Sequence, residues 1–144
     1  MNGWVVDASV AVKWLVSEKF SREASGLLEG NATLLAPDLL FAEVTNALWA
    51  MCRRGDIGRE DLAGAVALLR RAPLATPVPM RQLASAASQL SVDLEHPTYG
   101  CFYLALALQE RHPVVTADMR FLGRVQGHPY LADSIRHVGD VGRN

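Results

Sequence analysis

Two acidic residues follow short apolar runs in this sequence. Asp7 comes directly after Trp4-Val5-Val6, and Asp118 comes two residues after Val114-Val115-Thr116. Short continuous apolar runs predict buried strands, and ligands of open α/β sheets bind beyond the carboxyl ends of the strands. Helix N-capping is the alternative role for each residue taken alone, because a capping Asp contributes about 1 kcal/mol to helix stability.

Glu43 is a third acid and lies within a helical pattern. The residues that surround it at helical spacing are apolar: Leu39, Leu40, Val44, Ala47 and Leu48. Glu43 therefore borders the buried face of the helix, where an unpaired carboxylate is costly. The helix has no Lys or Arg before Arg53, so we interpret Glu43 as a functional acid. Asn46, one turn further on, is suited to orienting a carboxylate or a water molecule.

Three carboxylates that converge would bind a hard cation. Oxygen ligands favour Mg²⁺ or Mn²⁺, whereas zinc sites use closely spaced His and Cys residues. The histidines are scattered, and we expect them to be surface or loop residues: His96, His112, His128 and His137. Cys52 and Cys101 lack metal-site spacing and are expected to be buried free thiols in a reducing cytoplasm.

The overall charge limits how the chain could contact nucleic acid. Its 144 residues carry a formal net charge of −1, so bulk positive charge cannot attract a polyanion. A local basic patch could do so, and the candidates are Lys13, Arg53, Arg54, Arg59, Arg120 and Arg124. Arg120 and Arg124 are favoured because they follow Asp118 closely. We find no signal-peptide pattern and no apolar run long enough for a membrane span, so a soluble cytoplasmic protein is expected.

The pattern of apolar residues predicts alternating strands and helices. The predicted strands are 4–6, 33–35, 113–116 and 135–138, and the predicted helices are 8–16, 21–29, 37–54, 61–70, 80–90 and 97–111. Residues 72–79 form a proline-rich connection, a short helix or turn begins at Phe121, and the tail from Gly139 is expected to be loose. Such alternation indicates an α/β fold with a mostly parallel sheet covered on both faces. Residues 1–144 are interpreted as a single domain.

Four stretches of the chain, in the same order, resemble the PIN domain, and specifically the VapC-type toxins of bacterial type II toxin–antitoxin pairs. They are residues 5–10, 37–48, 96–107 and 115–121. The resemblance implies a Rossmann-like three-layer α/β/α sandwich and Mg²⁺- or Mn²⁺-dependent cleavage of RNA. It implies Asp7, Glu43 and Asp118 as the acids that hold the metal, with the hydroxyls of Ser9 and Thr116 beside them. It also implies a homodimer and a cognate antitoxin that covers the site, with operator DNA contacted only through the antitoxin.

Gly100 departs from the family pattern, which usually has an Asp at this position in the first turn of the helix. Glycine inside a helix costs about 1 kcal/mol relative to Ala, whereas an acid in the first turn is favoured by the helix dipole. The sequence shows no packing reason for the glycine. Three explanations stay open: an inactivated variant of a toxic nuclease, a naturally degenerate family member, or replacement of the missing acid by a neighbour such as Asp93.

The function that the resemblance implies is a Mg²⁺- or Mn²⁺-dependent endoribonuclease toxin, with its activity impaired at Gly100. The alternative is a catalytically silent PIN-fold module that dimerises and binds an antitoxin. A phosphotransferase of the haloacid dehalogenase type, with Asp7 as nucleophile, is disfavoured because it needs an acid where Ser9 stands. Trp14 or Leu15, and the helix end at Trp49, are candidate contacts for a partner or a second copy.

Overall fold

Four short apolar strands form one parallel sheet in a computed structural model that describes residues 2–142. They are Gly3–Val6 (β1), Thr33–Leu35 (β2), Val114–Thr116 (β3) and Ile135–His137 (β4). The order across the sheet is β2-β1-β3-β4, and each neighbouring pair is parallel. Val5 stands opposite Leu35 on one side and Val114 on the other, which fixes the register at the centre.

Seven α-helices connect and cover these strands within residues 2–142. They are Ala8–Ala11 (α1), Ser21–Glu29 (α2), Leu39–Arg54 (α3), Arg59–Arg70 (α4), Met80–Leu94 (α5), Thr98–Glu110 (α6) and Met119–Gln126 (α7). Helix α6 packs against both β1 and β3 and is itself covered by α5, which explains why it is the most apolar helix. The predicted α/β class is confirmed, and the arrangement is consistent with a three-layer sandwich of the PIN type.

The first and third predicted helices differ from the observed ones at their ends. Helix α1 ends at Ala11 and continues only as a 3₁₀ turn, Val12–Trp14. Pro37 is not part of a helix, because it pairs with Val78 in an isolated parallel bridge, and α3 begins two residues later at Leu39. The bridge uses the extended backbone that proline favours, and it is a contact between distant segments that a local pattern cannot reveal.

The expectation of a loose tail from Gly139 is wrong for the residues that the structure describes. Val138–Asp140 forms a 3₁₀ turn in which Val138 and Gly139 are buried. A Cβ at Gly139 would lie 2.8 Å from the Phe20 ring and 2.9 Å from Nδ1 of His137. This segment is therefore packed against the body of the protein, while residues 143 and 144 lie outside the described range.

Both cysteines have free thiols, as predicted. Cys101 is buried in α6, and this burial raises the pKa of its thiol to about 11. Cys52 is only partly buried. In the part of the chain that the structure describes, no helix combines the length and the hydropathy that crossing a lipid bilayer requires.

Gly3 allows the His112 ring to lie against the start of β1. A Cβ at position 3 would come within 2.8 Å of three atoms of that ring. We therefore expect Gly3→Ala to lower the free energy of unfolding by about 1–3 kcal/mol, the usual effect of overpacking. Gly64 in α4 is the matched control, since a Cβ there meets nothing within 4 Å. Gly64→Ala is expected to stabilise the helix by about 1 kcal/mol. Urea denaturation of both variants tests this, and an unchanged midpoint for Gly3→Ala would contradict it.

Candidate active site

The carboxyl ends of the two central strands open into one crevice. The chain passes from β1 outward to β2 and later returns to β3 on the other side of β1, which creates the crevice where ligands bind in open α/β sheets. Asp7 directly follows β1, and its backbone N–H donates to the carbonyl of Val115 in β3 over 3.1 Å. Asp118 lies two residues beyond β3. Glu43 reaches the same place from α3.

The three predicted acids line a single cavity of about 330 Å³. The other residues that line it are Glu95, His96, Pro97, Tyr99, Gly100, Arg120 and Phe121. The structure thus brings Asp7, Glu43 and Asp118 together with the position of the missing acid. It also adds residues 95–97 from the turn before α6, and the rings of Tyr99 and Phe121, which the sequence did not indicate as parts of the site.

Asp7 is held by two hydroxyl groups at the bottom of the cavity. Its Oδ2 accepts hydrogen bonds from Ser9 Oγ and Thr116 Oγ1, each over 2.7 Å. The backbone N–H groups of Ala117 and Asp118 donate to those same hydroxyls, which orients the hydroxyl protons towards Asp7. Asp7 is only 8% exposed and makes no helix-capping hydrogen bond, so its carboxylate is not engaged by a helix end and lines the cavity. Burial raises its pKa, and the two hydroxyls offset part of that effect.

Glu43 is held by a buried tyrosine. The hydroxyl of Tyr103, on α6, donates to Glu43 Oε1 over 2.7 Å. Partial burial raises the pKa of Glu43, and the charges of Asp7 and Asp118 add to the rise. Burial also raises the pKa of Tyr103, so this side chain stays a proton donor. Tyr103 was not predicted as a site residue, although a tyrosine hydroxyl on an apolar helix needs a buried partner, which is a usable signal.

Asp118 both caps a helix and lines the cavity. Its Oδ1 accepts from the backbone N–H groups of Arg120 and Phe121 at the start of α7, over 3.0 and 3.1 Å. The helix-capping role considered for both aspartates is therefore correct for Asp118. It is not correct for Asp7, whose side chain makes no capping hydrogen bond. Asp118 Oδ2 makes no hydrogen bond with any residue in 2–142, so one oxygen remains available to a ligand.

No basic side chain forms an ion pair with these carboxylates within residues 2–142. The ion pairs in that range join Lys13 to Glu18 and Arg54 to Asp56. Lys13 is buried in its pair, so it is not available to RNA as the sequence had suggested. The uncompensated negative charge favours a bound cation, and an all-oxygen donor set suits Mg²⁺ or Mn²⁺. As they stand, no three Asp, Glu, His or Cys side chains of the described residues converge closely enough to hold a metal ion.

Gly100 has a packing role, which corrects the expectation drawn from the sequence. A Cβ at this position would lie 3.1 Å from two atoms of the Phe121 ring and 3.2 Å from His96 Nε2. The rings of His96 and Phe121 stack with their centroids 5.0 Å apart. Asp93, considered as a replacement for the missing acid, lines a different groove between α5 and α6. Glu95 is the additional acid that lines the cavity.

His96 lies in the loop before α6, as predicted, but it is partly buried and forms part of the cavity wall. Its backbone N–H donates to the Ser91 carbonyl and its own carbonyl accepts from Ser91 Oγ, which fixes the turn. Its Nδ1 is buried and has no hydrogen-bond partner among residues 2–142. Burial lowers the pKa of His96, an effect that Arg120 and Arg124 reinforce and Asp118 opposes. No local pattern in the sequence predicts this role, because it depends on stacking with Phe121 from a distant helix.

Asn46, predicted as a supporting residue, and Arg124, predicted as an RNA-binding residue, lie outside the cavity. Asn46 is exposed on α3 and does not line it. Arg124 is exposed on α7 and does not line it either, although its charge acts on the nearby His96. Arg120 does line the cavity and is the predicted RNA-contacting residue that lies beside the three acids.

The sequence matches the family model of the PIN domain over residues 4–126. This chain belongs to the PIN domain family. PIN domains are generally nucleases, which supports a hydrolase activity. The chain also resembles the crystal structure of PAE2754 from Pyrobaculum aerophilum, with a TM-score of 0.66 and 17% sequence identity. That match covers 97% of this PIN domain protein and 86% of the other chain, and at this identity it shows the fold alone. No curated protein matches the sequence.

Proposed function

We propose that this PIN domain protein is the toxin of a VapC-type type II toxin–antitoxin pair, an endoribonuclease that hydrolyses RNA phosphodiester bonds with Mg²⁺ or Mn²⁺. The observation that carries the proposal is that Asp7, Glu43 and Asp118 line one cavity and have no ion-pair partner among residues 2–142. A cation bound there would activate a water molecule and neutralise charge on the phosphate.

Each carboxylate is fixed through one oxygen by a different kind of donor. Hydroxyls hold Asp7, a phenol holds Glu43, and backbone amides hold Asp118. Hydrogen bonds of this kind orient the side chains that bind a metal. Their loss typically lowers metal affinity or activity 10- to 100-fold. Arg120 and Arg124 are proposed to contact the RNA phosphates, with Arg120 closer to the reacting group.

The proposed partners are a cognate antitoxin, a second copy of the chain and, through the antitoxin, operator DNA. Trp14 is unsuited to a partner contact, because its indole N–H donates to the Ala24 carbonyl over 2.8 Å. Trp49 is 53% exposed beside Arg53 and is the better candidate for the dimer contact. Free thiols fit the bacterial cytoplasm proposed for the protein.

One observation favours the silent module as a second candidate. The rings of His96 and Phe121 lie against Gly100, so the place of the missing carboxylate is partly filled. In that case the chain would keep the fold and the antitoxin contact and would lack cleavage.

The two candidates are separated by an RNA cleavage assay on Gly100→Asp, with and without Mn²⁺ and with EDTA. If the protein is a nuclease, Gly100→Asp is expected to produce RNA fragments only when the metal is present. The double variant Gly100→Asp/Glu43→Gln is expected to produce none. Absence of cleavage by folded Gly100→Asp protein over a panel of tRNA, rRNA and mRNA substrates would contradict the nuclease and favour the module.

A further inference from the structure

One aromatic side chain on the rim of the acidic cavity has no protein partner. Tyr99 lines the cavity and is 61% exposed, and its side chain makes no hydrogen bond or ring contact with residues 2–142. Tyr103 lies one helical turn later on the same side of α6, but it is fully buried and bonded to Glu43. Helix α6 therefore places one tyrosine inside the site and leaves the other open to a ligand.

We infer that Tyr99 stacks on an unpaired RNA base next to the scissile phosphate, an inference that rests on the proposed function. A cation held by the three carboxylates and the side chain of Arg120 would attract the phosphate, and an uncharged contact at this rim is then needed to hold the base. Stacking of a base on an aromatic ring supplies such a contact and tolerates every base, because each base has a π-face. A duplex keeps its bases stacked inside the helix, so this contact requires an unpaired base.

The surroundings of Tyr99 favour a nucleotide over a protein surface. Eight large hydrophobic side chains are exposed within residues 2–142, and Tyr99 is the one among them that lines the cavity. Six of the nine other residues in the lining are polar or charged, including Glu95, Asp118 and Arg120. Protein-docking sites are marked instead by contiguous apolar patches. The cavity volume of about 330 Å³ is at the low end for ligand sites and suits one nucleotide.

The test measures binding of a fluorescent single-stranded RNA of about 12 nucleotides, a length within the range of single-strand sites. Anisotropy is read in Mn²⁺ buffer, and a gel confirms that the RNA stays intact. Tyr99→Ala is expected to weaken binding by roughly 5- to 150-fold, the range for loss of one stacked base. Tyr99→Phe keeps the ring and is expected to change affinity less than about twofold. Tyr130→Ala is the matched control, because Tyr130 is 88% exposed but lies outside the cavity.

An abasic scan separates stacking from a structural effect. One abasic position in the RNA is expected to weaken binding to the unaltered chain and to have little further effect on Tyr99→Ala, since the base and the ring form one interaction. Equal affinities of Tyr99→Ala and Tyr130→Ala would overturn the inference and leave the nuclease proposal intact. The inference would also be overturned if Tyr99→Ala weakened binding of a protein partner and left RNA binding unchanged. Failure of the unaltered chain and of Gly100→Asp to bind RNA would overturn both.

Discussion

Replacing Gly100 with aspartate is expected to raise the rate of RNA cleavage by about 100-fold or more. One preorganised group that stabilises charge in a transition state is typically worth 10²–10³ in rate. The new carboxylate would stand in the first turn of α6, where the helix dipole favours a negative charge. It would enter the cavity that Asp7, Glu43 and Asp118 already line. The measurement is the initial rate of cleavage in Mn²⁺ at saturating RNA.

Gly100→Asn and Gly100→Ala are the matched controls for this change. Asparagine has the same shape without the charge, and alanine adds only the Cβ. All three variants require the Phe121 and His96 rings to yield by a few tenths of an ångström, because the Cβ would lie 3.1–3.2 Å from them. Thermal unfolding of each variant checks that the fold tolerates the shift. A gain in rate for Asn equal to that for Asp would contradict the assignment of a missing carboxylate.

Asp7→Asn is expected to make the metal-free protein more stable at neutral pH. Burial raises the pKa of Asp7, the hydroxyls of Ser9 and Thr116 offset part of the rise, and the charge of Asp118 adds to it. The folded chain therefore holds a proton at Asp7 more tightly than the unfolded chain does. Stability from this site is greatest at low pH and falls as the pH rises above about 4 towards the raised pKa. An amide in the same place has no charge to bury.

The prediction is tested by thermal unfolding in EDTA between pH 4 and pH 8. The difference in Tm between Asp7→Asn and the unaltered chain is expected to grow with pH and to reach several degrees, equivalent to about 1 kcal/mol or more. Asp118→Asn is the control, since Asp118 is exposed and Asn also caps helices well, so its effect on Tm should be small at each pH. A Tm difference for Asp7→Asn that is constant with pH would contradict the prediction.

The positions of Asp7 and Asp118 were predictable because they follow from a rule about parallel sheets. Short apolar runs identify the strands, and the carboxyl ends of neighbouring parallel strands face the same crevice. Glu43 was predictable for a different reason, since helical spacing alone placed a carboxylate on the border of a buried face. These signals are local in the chain, and each needs only a few residues on either side.

The contacts that complete the site could not be predicted in this way. Tyr103 bonds to Glu43 across 60 positions of sequence. The stacking of His96 on Phe121 joins the turn before α6 to α7. Local periodicity carries no information about such pairs, so the glycine that lies against both rings looked unexplained.

Asp93 and Glu95 show that the position of a helix end determines which of two nearby acids lines the cavity. Helix α5 was predicted to end near residue 90, which would have left Asp93 in a loop. The helix instead continues to Leu94, so Asp93 lies in the groove towards α6. Glu95 ends the helix with a left-handed backbone, φ 52°, and lines the cavity. One additional helical turn thus moves one acid away from the site and brings another to it.

Titration of Mn²⁺ into the metal-free protein, followed by calorimetry, tests most directly whether the acidic cavity is a divalent-cation site. The unaltered chain is expected to bind Mn²⁺, Gly100→Asp to bind it about 10-fold or more tightly, and Asp7→Asn to show no binding in the same range. Equal binding by the unaltered chain and by Asp7→Asn, or no binding by folded Gly100→Asp, would contradict the assignment of Asp7, Glu43 and Asp118 as the residues that hold the cation.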